Sequence, residues 1–295
     1  MRIFMTGATG FIGSYVAYEL LAAGHELVVA ARSTDKLPAL SAHPHVRRVN
    51  AALKDEQRMH DALQGAEACV HVALGWGDTP STMLENDTEP TVKLLESAEA
   101  AGVKKFVYTS STAALGPFFA VMNETHPTRP SDSYGATKAA SEAYVLAAGA
   151  RSSMACNVIR PGYTFGNPVV PGATTQPDRR FHEIAAAAKR GERITLRAGD
   201  GTQFVWAGDL ARLYRALLDS DHNREVYFGL GLPFVSWAQI AERAFELAGT
   251  PSRITVHGQK DAPCLFELGK IKRDFGFEFQ SAAHIDEHLR YLLTL

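Results

Sequence analysis

A tyrosine and a lysine stand four positions apart near the middle of the chain, as Tyr134 and Lys138 in the run YGATK. On a helix this spacing places both side chains on one face, where the lysine ammonium favours the ionised form of the phenol. An unperturbed phenol ionises only near about pH 10, so a tyrosine that transfers protons at neutral pH needs such a neighbour. The pair therefore predicts acid/base chemistry at Tyr134.

A second pattern lies at the start of the chain, where the glycine-rich run TGATGFIG at 6–13 follows an apolar strand. Glycines at these positions let a strand turn tightly into a helix whose free N–H groups face a pyrophosphate. Alone, this run indicates only that the chain binds a dinucleotide.

Together these patterns resemble the short-chain dehydrogenase/reductase superfamily, and in particular its extended branch, the NAD(P)-dependent epimerase/dehydratase family. The resemblance covers nearly the whole chain, because further segments follow in the family's order. They are VHVA at 70–73, VYTSS at 107–111, VIRPG at 158–162, FVWAGDLA at 204–211 and VYFGLG at 226–231.

Alternating strand and helix patterns predict an α/β fold, a Rossmann-type doubly wound parallel sheet with a smaller C-terminal α/β substrate lobe. We expect the dinucleotide-binding domain at 1–161, with the chain returning to it near 200–228, and the substrate lobe mostly at 162–295. The predicted strands are 2–6, 26–31, 46–50, 68–73, 105–110 and 155–160. The predicted helices are 11–23, 82–101, 134–148, 180–190, 209–219, 237–248 and 282–293, with Gly24, Gly102 and Gly149 ending the first three.

The resemblance implies a catalytic set of Ser111, Tyr134 and Lys138. Tyr134 would be the general acid/base, Lys138 would bond the nicotinamide ribose and favour the phenolate, and Ser111 would bind the substrate oxygen. Ser110 and Thr112 could replace Ser111 if the register slips by one residue. The implied cofactor-binding residues are Gly7, Thr9, Gly10, Phe11, Ile12, Gly13, Arg32, Leu53, Ala73, Tyr134, Lys138 and Pro161.

The end of the second strand bears on the choice of cofactor. Family members that prefer NAD usually carry an aspartate where this chain has Ala31, and Arg32 follows with a guanidinium that grips a phosphate. This pattern favours NADP over NAD, with NAD possible if Arg32 is merely a solvated side chain. Ala52 also replaces an aspartate that often reaches the adenine, which leaves the backbone at Leu53 to hold that ring.

The resemblance implies an NAD(P)-dependent oxidoreductase that transfers a hydride at a secondary alcohol or ketone of a sugar-like or other small substrate. A nucleotide-sugar epimerase is the alternative, and a non-catalytic NADP sensor is a third possibility that would typically lose the tyrosine or the lysine. The acid pair of sugar-nucleotide 4,6-dehydratases is absent, because Ala113 and Ala114 follow the serine region. The diphosphate-binding arginine of many epimerases is also absent before Phe204.

Two departures from the family lie near the expected active site. Asp87 replaces a common asparagine before the helix under the cofactor, and Pro90 replaces a glycine, which should kink or offset that helix. Five aromatic residues could form an apolar substrate wall at the carboxyl edge of the sheet, although core packing would explain them equally well. They are Trp76, Phe118, Phe119, Tyr163 and Trp206.

Composition sets the remaining expectations. The net charge of −2 gives no nucleic-acid signal, and no apolar run reaches a membrane span. The scattered Cys69, Cys156 and Cys264 predict buried free thiols, and the histidines show no metal-ligand spacing. Without a recognisable leader segment, we expect a soluble cytoplasmic protein that acts on a small-molecule substrate and binds no metal. Small residues on the helices 82–101 and 134–148 would permit a homodimer.

Overall fold

The fold is organised around a parallel sheet of seven strands. The structure is a computed structural model that describes residues 1–33, 37–258 and 262–295. The strands are β1 (Arg2–Thr6), β2 (Glu26–Ala31), β3 (Val46–Asn50), β4 (Ala68–His71), β5 (Lys105–Thr109), β6 (Val121–Met122), β7 (Ala155–Pro161), β8 (Thr164–Phe165), β9 (Ile194–Arg197), β10 (Gly201–Thr202), β11 (Val205–Trp206), β12 (Val226–Gly229), β13 (Val235–Ser236), β14 (Ile254–His257) and β15 (Leu265–Phe266). The large sheet has the order β12-β7-β5-β4-β1-β2-β3.

Helices connect these strands and cover both faces of the sheet. They are α1 (Phe11–Ala22), α2 (Pro38–Ser41), α3 (Glu56–Leu63), α4 (Pro80–Met83), α5 (Glu89–Ala100), α6 (Ser133–Arg151), α7 (Arg180–Arg190), α8 (Ala207–Asp219), α9 (Trp237–Ala248), α10 (Gly269–Phe275) and α11 (Ala282–Thr294). A π-helical turn covers Leu84–Thr88 and a 3-10 turn covers Thr112–Leu115. The predicted α/β class and Rossmann-type sheet are thereby confirmed.

The strand order reverses between β1 and β4, which are neighbours in the sheet. All the pairings within this sheet are parallel, so the carboxyl ends of its strands meet at one edge. In open sheets of this type, ligands bind outside that edge at the point of reversal. Apolar residues of α1 and α8 pack on one face of the sheet, and those of α3, α5 and α6 pack on the other. The two layers hold the ligand-binding edge in place.

A separate apolar cluster lies in the C-terminal part of the chain. It joins α7, α9 and α11 around the buried rings of Phe165, Phe181, Phe204, Trp237 and Phe245. The strand β12 nevertheless returns to the large sheet beside β7. The division into domains at residue 161 stays a prediction.

The strand and helix bounds differ from prediction at a few ends. Helix α6 continues through Gly149 to Arg151, so this glycine does not end the helix. Its role is packing, because a Cβ at Gly149 would lie 2.6 Å from the Asn223 side-chain oxygen. The strand β4 ends at His71 rather than at Ala73. No helix in the described parts of the chain has both the length and the apolarity to cross a membrane.

The helix predicted at 82–101 is divided by the π turn. The N–H of Glu89 bonds to the carbonyl of Leu84, five residues earlier, at the turn's end. Pro90 has no N–H to continue the regular helical ladder there, which explains why the break occurs at this point. The predicted offset is therefore present, and it sets the directions of Asn86 and Asp87.

Candidate active site

The glycine loop lies at the carboxyl end of β1. Gly7 has a φ of 75°, and a Cβ there would lie 2.5 Å from the Ala73 nitrogen. A Cβ on Gly13 would overlap the Gly7 carbonyl. Helix α1 begins directly after Gly10, and no side chain caps its N-terminus. The loop is thus a close-packed cradle with helix N–H groups available, which fits the pyrophosphate of a dinucleotide.

The loop between β8 and α7 contacts the glycine cradle and the helix that follows it. The Thr174 hydroxyl donates to the Thr9 carbonyl at 2.9 Å, and the Tyr15 hydroxyl donates to the Asn167 carbonyl at 2.6 Å. These contacts join the C-terminal part of the chain to the first turn of the fold. A ligand held by the cradle therefore lies beside residues from both halves of the sequence.

The expected adenosine end lies where β2 and β3 finish. Ala31 pairs with Asn50, and Arg32 follows with an exposed side chain. Leu53 is half-buried against the cluster beneath the sheet. Arg32 thus has a solvent-facing guanidinium at the position where family resemblance places the ribose. The roles of Arg32 and Leu53 in cofactor binding stay predictions.

Tyr134 lies in the first turn of helix α6, and several contacts position it. The Asp132 carboxylate accepts the Gly135 N–H at 2.6 Å and caps the helix. Gly135 packs so tightly on the 3-10 turn after Ser111 that a Cβ would collide with the Ala113 carbonyl. This close approach brings the first turn of α6, with Tyr134, against the segment that carries Ser111.

Of the three candidate residues, Ser111 and Thr112 are partly exposed, whereas Ser110 is buried. Its oxygen accepts the Ala113 N–H at 3.2 Å, which leaves the hydroxyl proton free for a substrate. Ser110 is buried and donates its proton to Glu142. Thr112 lies within the 3-10 turn that follows. These contacts argue against Ser110, and the choice of Ser111 as the substrate-binding hydroxyl stays a prediction.

Lys138 lies one helical turn after Tyr134 and is buried, with only 3% of its surface exposed. Its Nζ lies 5.9 Å from the Tyr134 ring centre, so the predicted shared helix face is present. Its nearest charged partner is Asp87, whose Oδ2 lies 3.2 Å away and whose side chain is fully buried. The contact is an ion pair without the alignment of a hydrogen bond. Residue pattern alone did not predict this pair.

Asp87 and its neighbour Asn86 also hold the loop after β4. The Gly75 N–H donates to Asp87 Oδ1 at 3.0 Å, and the Asn86 amide donates to the Trp76 carbonyl at 2.6 Å. Trp76 is 62% exposed, and its ring centre lies 6.4 Å from that of Tyr134. The π turn therefore carries two adjacent polar side chains that keep an exposed aromatic residue beside the candidate acid/base.

His71 lies beneath this site and is uncharged. The Thr91 hydroxyl donates to the Asp87 carbonyl, so it accepts from His71 Nε2–H at 2.9 Å. Nδ1 then accepts the Thr6 hydroxyl proton at 2.6 Å. Burial lowers the pKa of His71 to about 4, an effect that nearby Lys138 supports and Asp87 opposes. His71 is a hydrogen-bonded core residue, as predicted from its place after an apolar strand.

The depressed pKa of His71 predicts a loss of stability in acid. Below about pH 6.5 the unfolded chain binds a proton at this imidazole while the folded protein does not, until the pH approaches 4. The free energy of unfolding should therefore fall as the pH drops through this window, by up to about 1.4 kcal/mol per pH unit from this residue. Urea unfolding at a series of pH values measures the slope.

The matched variant is His71→Gln, which keeps an amide N–H donor and removes the titrating ring. Its unfolding free energy should depend less steeply on pH than that of the wild type. Part of the slope should persist, because burial also lowers the pKa of His288 to about 4. Equal slopes in the two proteins would show that His71 is not the residue responsible.

An open groove of about 490 Å³ lies in the C-terminal part of the chain. The Arg180 guanidinium carbon lies 4.5 Å from the Trp237 ring centre, and Arg180 also pairs with Asp178 at 3.0 Å. Of the five aromatic residues proposed as a wall, Phe118 and Tyr163 line this groove. Trp206 instead stacks on His284 at 4.0 Å between ring centres.

The three cysteines predicted as buried free thiols are all free. Cys69 and Cys156 are buried, whereas Cys264 is half-buried on the wall of the groove.

A buried ion pair joins helix α6 to strand β7. Arg160 on β7 forms two hydrogen bonds with Glu142 on α6, Nε to Oε1 at 2.9 Å and the second nitrogen to Oε2 at 2.7 Å. The side chains are 5% and 3% exposed. The VIRPG run contains Arg160, but nothing in the sequence pointed to Glu142 as its partner. The pair fixes α6 to the strand whose end, Pro161, lies at the predicted cofactor site.

Comparisons with known proteins agree with this arrangement. A family model described as the NAD dependent epimerase/dehydratase family matches residues 3–228. The chain is 31% identical over 179 residues to a 3-beta-hydroxysteroid dehydrogenase of Mycolicibacterium neoaurum, covering 56% of this chain and 48% of that protein. It thus spans about half the length of that relative.

Other matches extend over the whole chain. A dTDP-4-dehydro-6-deoxy-D-allose reductase of Streptomyces bikiniensis is 29% identical over 304 residues, which cover 94% of this chain and 91% of the reductase. The crystal structure of UDP-glucuronic acid 4-epimerase from Bacillus cereus in complex with NAD superposes with a TM-score of 0.85 at 18% identity. It covers 100% of this chain and 97% of that one. At this identity, the superposition establishes the fold alone.

Proposed function

Because the chain belongs to the NAD-dependent epimerase/dehydratase family, we propose that it is an oxidoreductase that transfers a hydride between NAD(P) and a secondary alcohol or ketone. The observation that carries this proposal is the position of Tyr134. It lies at the start of α6, one turn from buried Lys138 and packed beside the segment of Ser111. A non-catalytic sensor would not need all three residues.

Ser111 and Tyr134 have separate roles in the proposed reaction. The Ser111 hydroxyl binds the substrate oxygen, and Tyr134 gives that oxygen a proton during reduction or takes one during oxidation. The bound nicotinamide supplies or accepts the hydride at the substrate carbon. The glycine cradle and the uncapped N-terminus of α1 hold the pyrophosphate, and Trp76 covers one side of the tyrosine. Substrate enters from the carboxyl edge of the sheet.

Reduction of a ketone is favoured over sugar epimerisation. One relative that matches 94% of this chain carries the name of a reductase. The groove with Arg180 and Arg197 keeps a nucleotide-sugar epimerase as the second candidate, because arginines suit a diphosphate. However, Arg180 is already paired with Asp178.

The cytoplasmic location and the homodimer stay predictions.

Incubation with reduced cofactor labelled with deuterium at C4 tests the proposal. Ketones and 4-keto sugar nucleotides would be screened, and products analysed by mass. Net cofactor consumption with one deuterium in the alcohol product supports the reductase. In a parallel incubation of sugar nucleotides with oxidised cofactor, their interconversion without net change of the cofactor supports the epimerase. Dinucleotide binding with neither result across the screen would overturn the oxidoreductase in favour of a sensor.

We further propose NADP as the preferred cofactor, because Arg32 is exposed at the end of β2 where an acidic residue is missing. Replacing Arg32 with alanine should weaken NADPH binding about 10- to 100-fold, through loss of charge-assisted bonds to the 2′-phosphate. NADH binding should hardly change. Titrations that follow the cofactor fluorescence measure both affinities.

The control is Arg48→Ala, which removes another exposed arginine from the neighbouring strand β3. It should leave both affinities unchanged. Tighter binding of NADH than NADPH by the wild type would show that Arg32 does not select the phosphate.

A further inference from the structure

Asp87 places a negative charge against the lysine on which Tyr134 depends. We propose that Asp87 is a positioning residue that neutralises Lys138 and thereby keeps Tyr134 in its protonated form, which biases the site towards reduction of a carbonyl. This inference rests on the proposed function, because it assigns a direction to the same reaction. Its evidence is the buried 3.2 Å contact between Asp87 Oδ2 and Lys138 Nζ.

A backbone hydrogen bond and close packing fix the orientation of the Asp87 carboxylate. The Gly75 N–H donates to the other carboxylate oxygen, Oδ1, at 3.0 Å. A side chain at Gly75 would collide with the Asn86 carbonyl, so the loop can approach the carboxylate only at a glycine. Oδ2 is left facing the ammonium. Asp87 therefore has a fixed orientation, with one oxygen bound to the backbone and one paired with Lys138.

The other titratable residues around Tyr134 are either uncharged or bonded to partners other than Lys138. His71 on β4 is neutral above about pH 4. Burial raises the pKa values of Tyr108 on β5 and Tyr214 on α8, so both stay uncharged. Glu142 on α6 is paired with Arg160. Asp132 is a further carboxylate near Tyr134, and it is bonded to the Gly135 N–H as the cap of α6. Of the charged groups named here, Asp87 is the one paired with Lys138.

An unpaired ammonium near a phenol favours the phenolate, and a carboxylate beside the ammonium opposes that effect. Lys138 Nζ lies 5.9 Å from the Tyr134 ring centre and 5.3 Å from that of Tyr108. With Asp87 in contact, the ammonium contributes less net positive potential at Tyr134. The wild-type tyrosine accordingly keeps its proton to a higher pH than a version of the site with a neutral residue at position 87.

The protonated form suits reduction. The carbonyl carbon gains the hydride and its electron pair from the reduced cofactor, the carbonyl oxygen gains the Tyr134 proton, and the C=O double bond becomes a C–O single bond. The Tyr134 O–H bond breaks, and solvent returns a proton to the phenolate afterwards. Oxidation would instead require the phenolate at the start.

The test is a tyrosinate absorbance titration of the cofactor-free protein, from about pH 7 to about pH 10.5. The signal of Tyr134 is the difference between each protein and the same protein carrying Tyr134→Phe. Replacing Asp87 with asparagine should move the Tyr134 midpoint down by about one pH unit or more. A midpoint that is unchanged or higher would overturn the proposal. Circular dichroism confirms that each variant is folded over this range.

Two further variants make the result specific. Glu142→Gln removes a different buried carboxylate from the same helix, and it should lower thermal stability without a comparable shift of the Tyr134 midpoint. An equal shift would overturn the specific role of Asp87. Asp87→Ser provides a second neutral side chain if the asparagine variant does not fold, and it should shift the midpoint in the same direction.

This titration needs no substrate, so it separates the inference from the proposed function. If no substrate is turned over but the midpoint moves down in Asp87→Asn, the oxidoreductase proposal fails and the electrostatic role stands. If substrates are reduced but the midpoint does not move, the role of Asp87 fails alone. With a substrate in hand, the alkaline decline of the reduction rate should occur at lower pH in Asp87→Asn.

Discussion

Replacing Tyr134 with phenylalanine is expected to lower turnover about 10²- to 10⁴-fold, the usual contribution of a general acid/base. The phenylalanine ring preserves the contacts with Trp76 and with the Lys138 ammonium, so the shape of the site should be retained. Cofactor affinity should therefore change little, because only the proton-transferring oxygen is lost. Steady-state rates with a substrate identified by the deuterium screen, together with fluorescence titration of the cofactor, measure the two effects separately.

The control for this prediction is Tyr144→Phe. Tyr144 lies on the same helix and is 54% exposed, so its hydroxyl has no expected part in the reaction. Its variant should have wild-type turnover. If Tyr134→Phe also retained full turnover, the proton would have to come from another group, and the assignment of the acid/base would be wrong.

Removing Glu142 is expected to destabilise the fold by about 3–5 kcal/mol, because Glu142→Ala leaves the Arg160 guanidinium buried without its partner. Ser110 would also lose its acceptor. Equilibrium unfolding in urea measures the free energy of unfolding.

The same helix offers a matched control. Arg151 at its end pairs with Glu99 at 2.7 Å, but this pair is largely exposed, with side-chain exposures of 55% and 32%. Glu99→Ala should cost less than about 1 kcal/mol. A paired change of Glu142 and Arg160 to leucine and methionine should recover stability, because neither charge of this pair then remains buried. Equal losses for Glu99→Ala and Glu142→Ala would contradict the importance of burial.

Local sequence patterns were sufficient to predict the glycine loop, most of the large sheet and the main helices. The glycine loop, the six predicted strands of the sheet and the helix of Tyr134 depend on periodicity and turn residues that lie close together in the chain. The bounds of α7 and α9 agree with prediction because both helices have a wide apolar face and end at a glycine. The end of α6 was missed because Gly149 looks like a stop in sequence, whereas in the fold it makes room for Asn223.

Contacts between distant residues could not be predicted in the same way. Asp87 and Lys138 are separated by about fifty positions, and nothing in either segment shows that they form a buried pair. The departure of Asp87 from the family pattern was visible, but its partner became evident only once α6 was packed beside the π turn. The same holds for Glu142, whose charge would otherwise suggest an exposed helix face.

The π turn at Leu84–Thr88 also affects how this chain should be aligned with its relatives. A π turn holds more residues than an α turn, so a relative with a regular helix here would fall out of register on one side of it. Counting along the chain then cannot decide whether Asn86 or Asp87 corresponds to a relative's asparagine. Here the amide of Asn86 holds the Trp76 carbonyl, while the carboxylate of Asp87 meets the lysine. A superposition of backbones would show which of these two neighbouring residues lies at the relative's position.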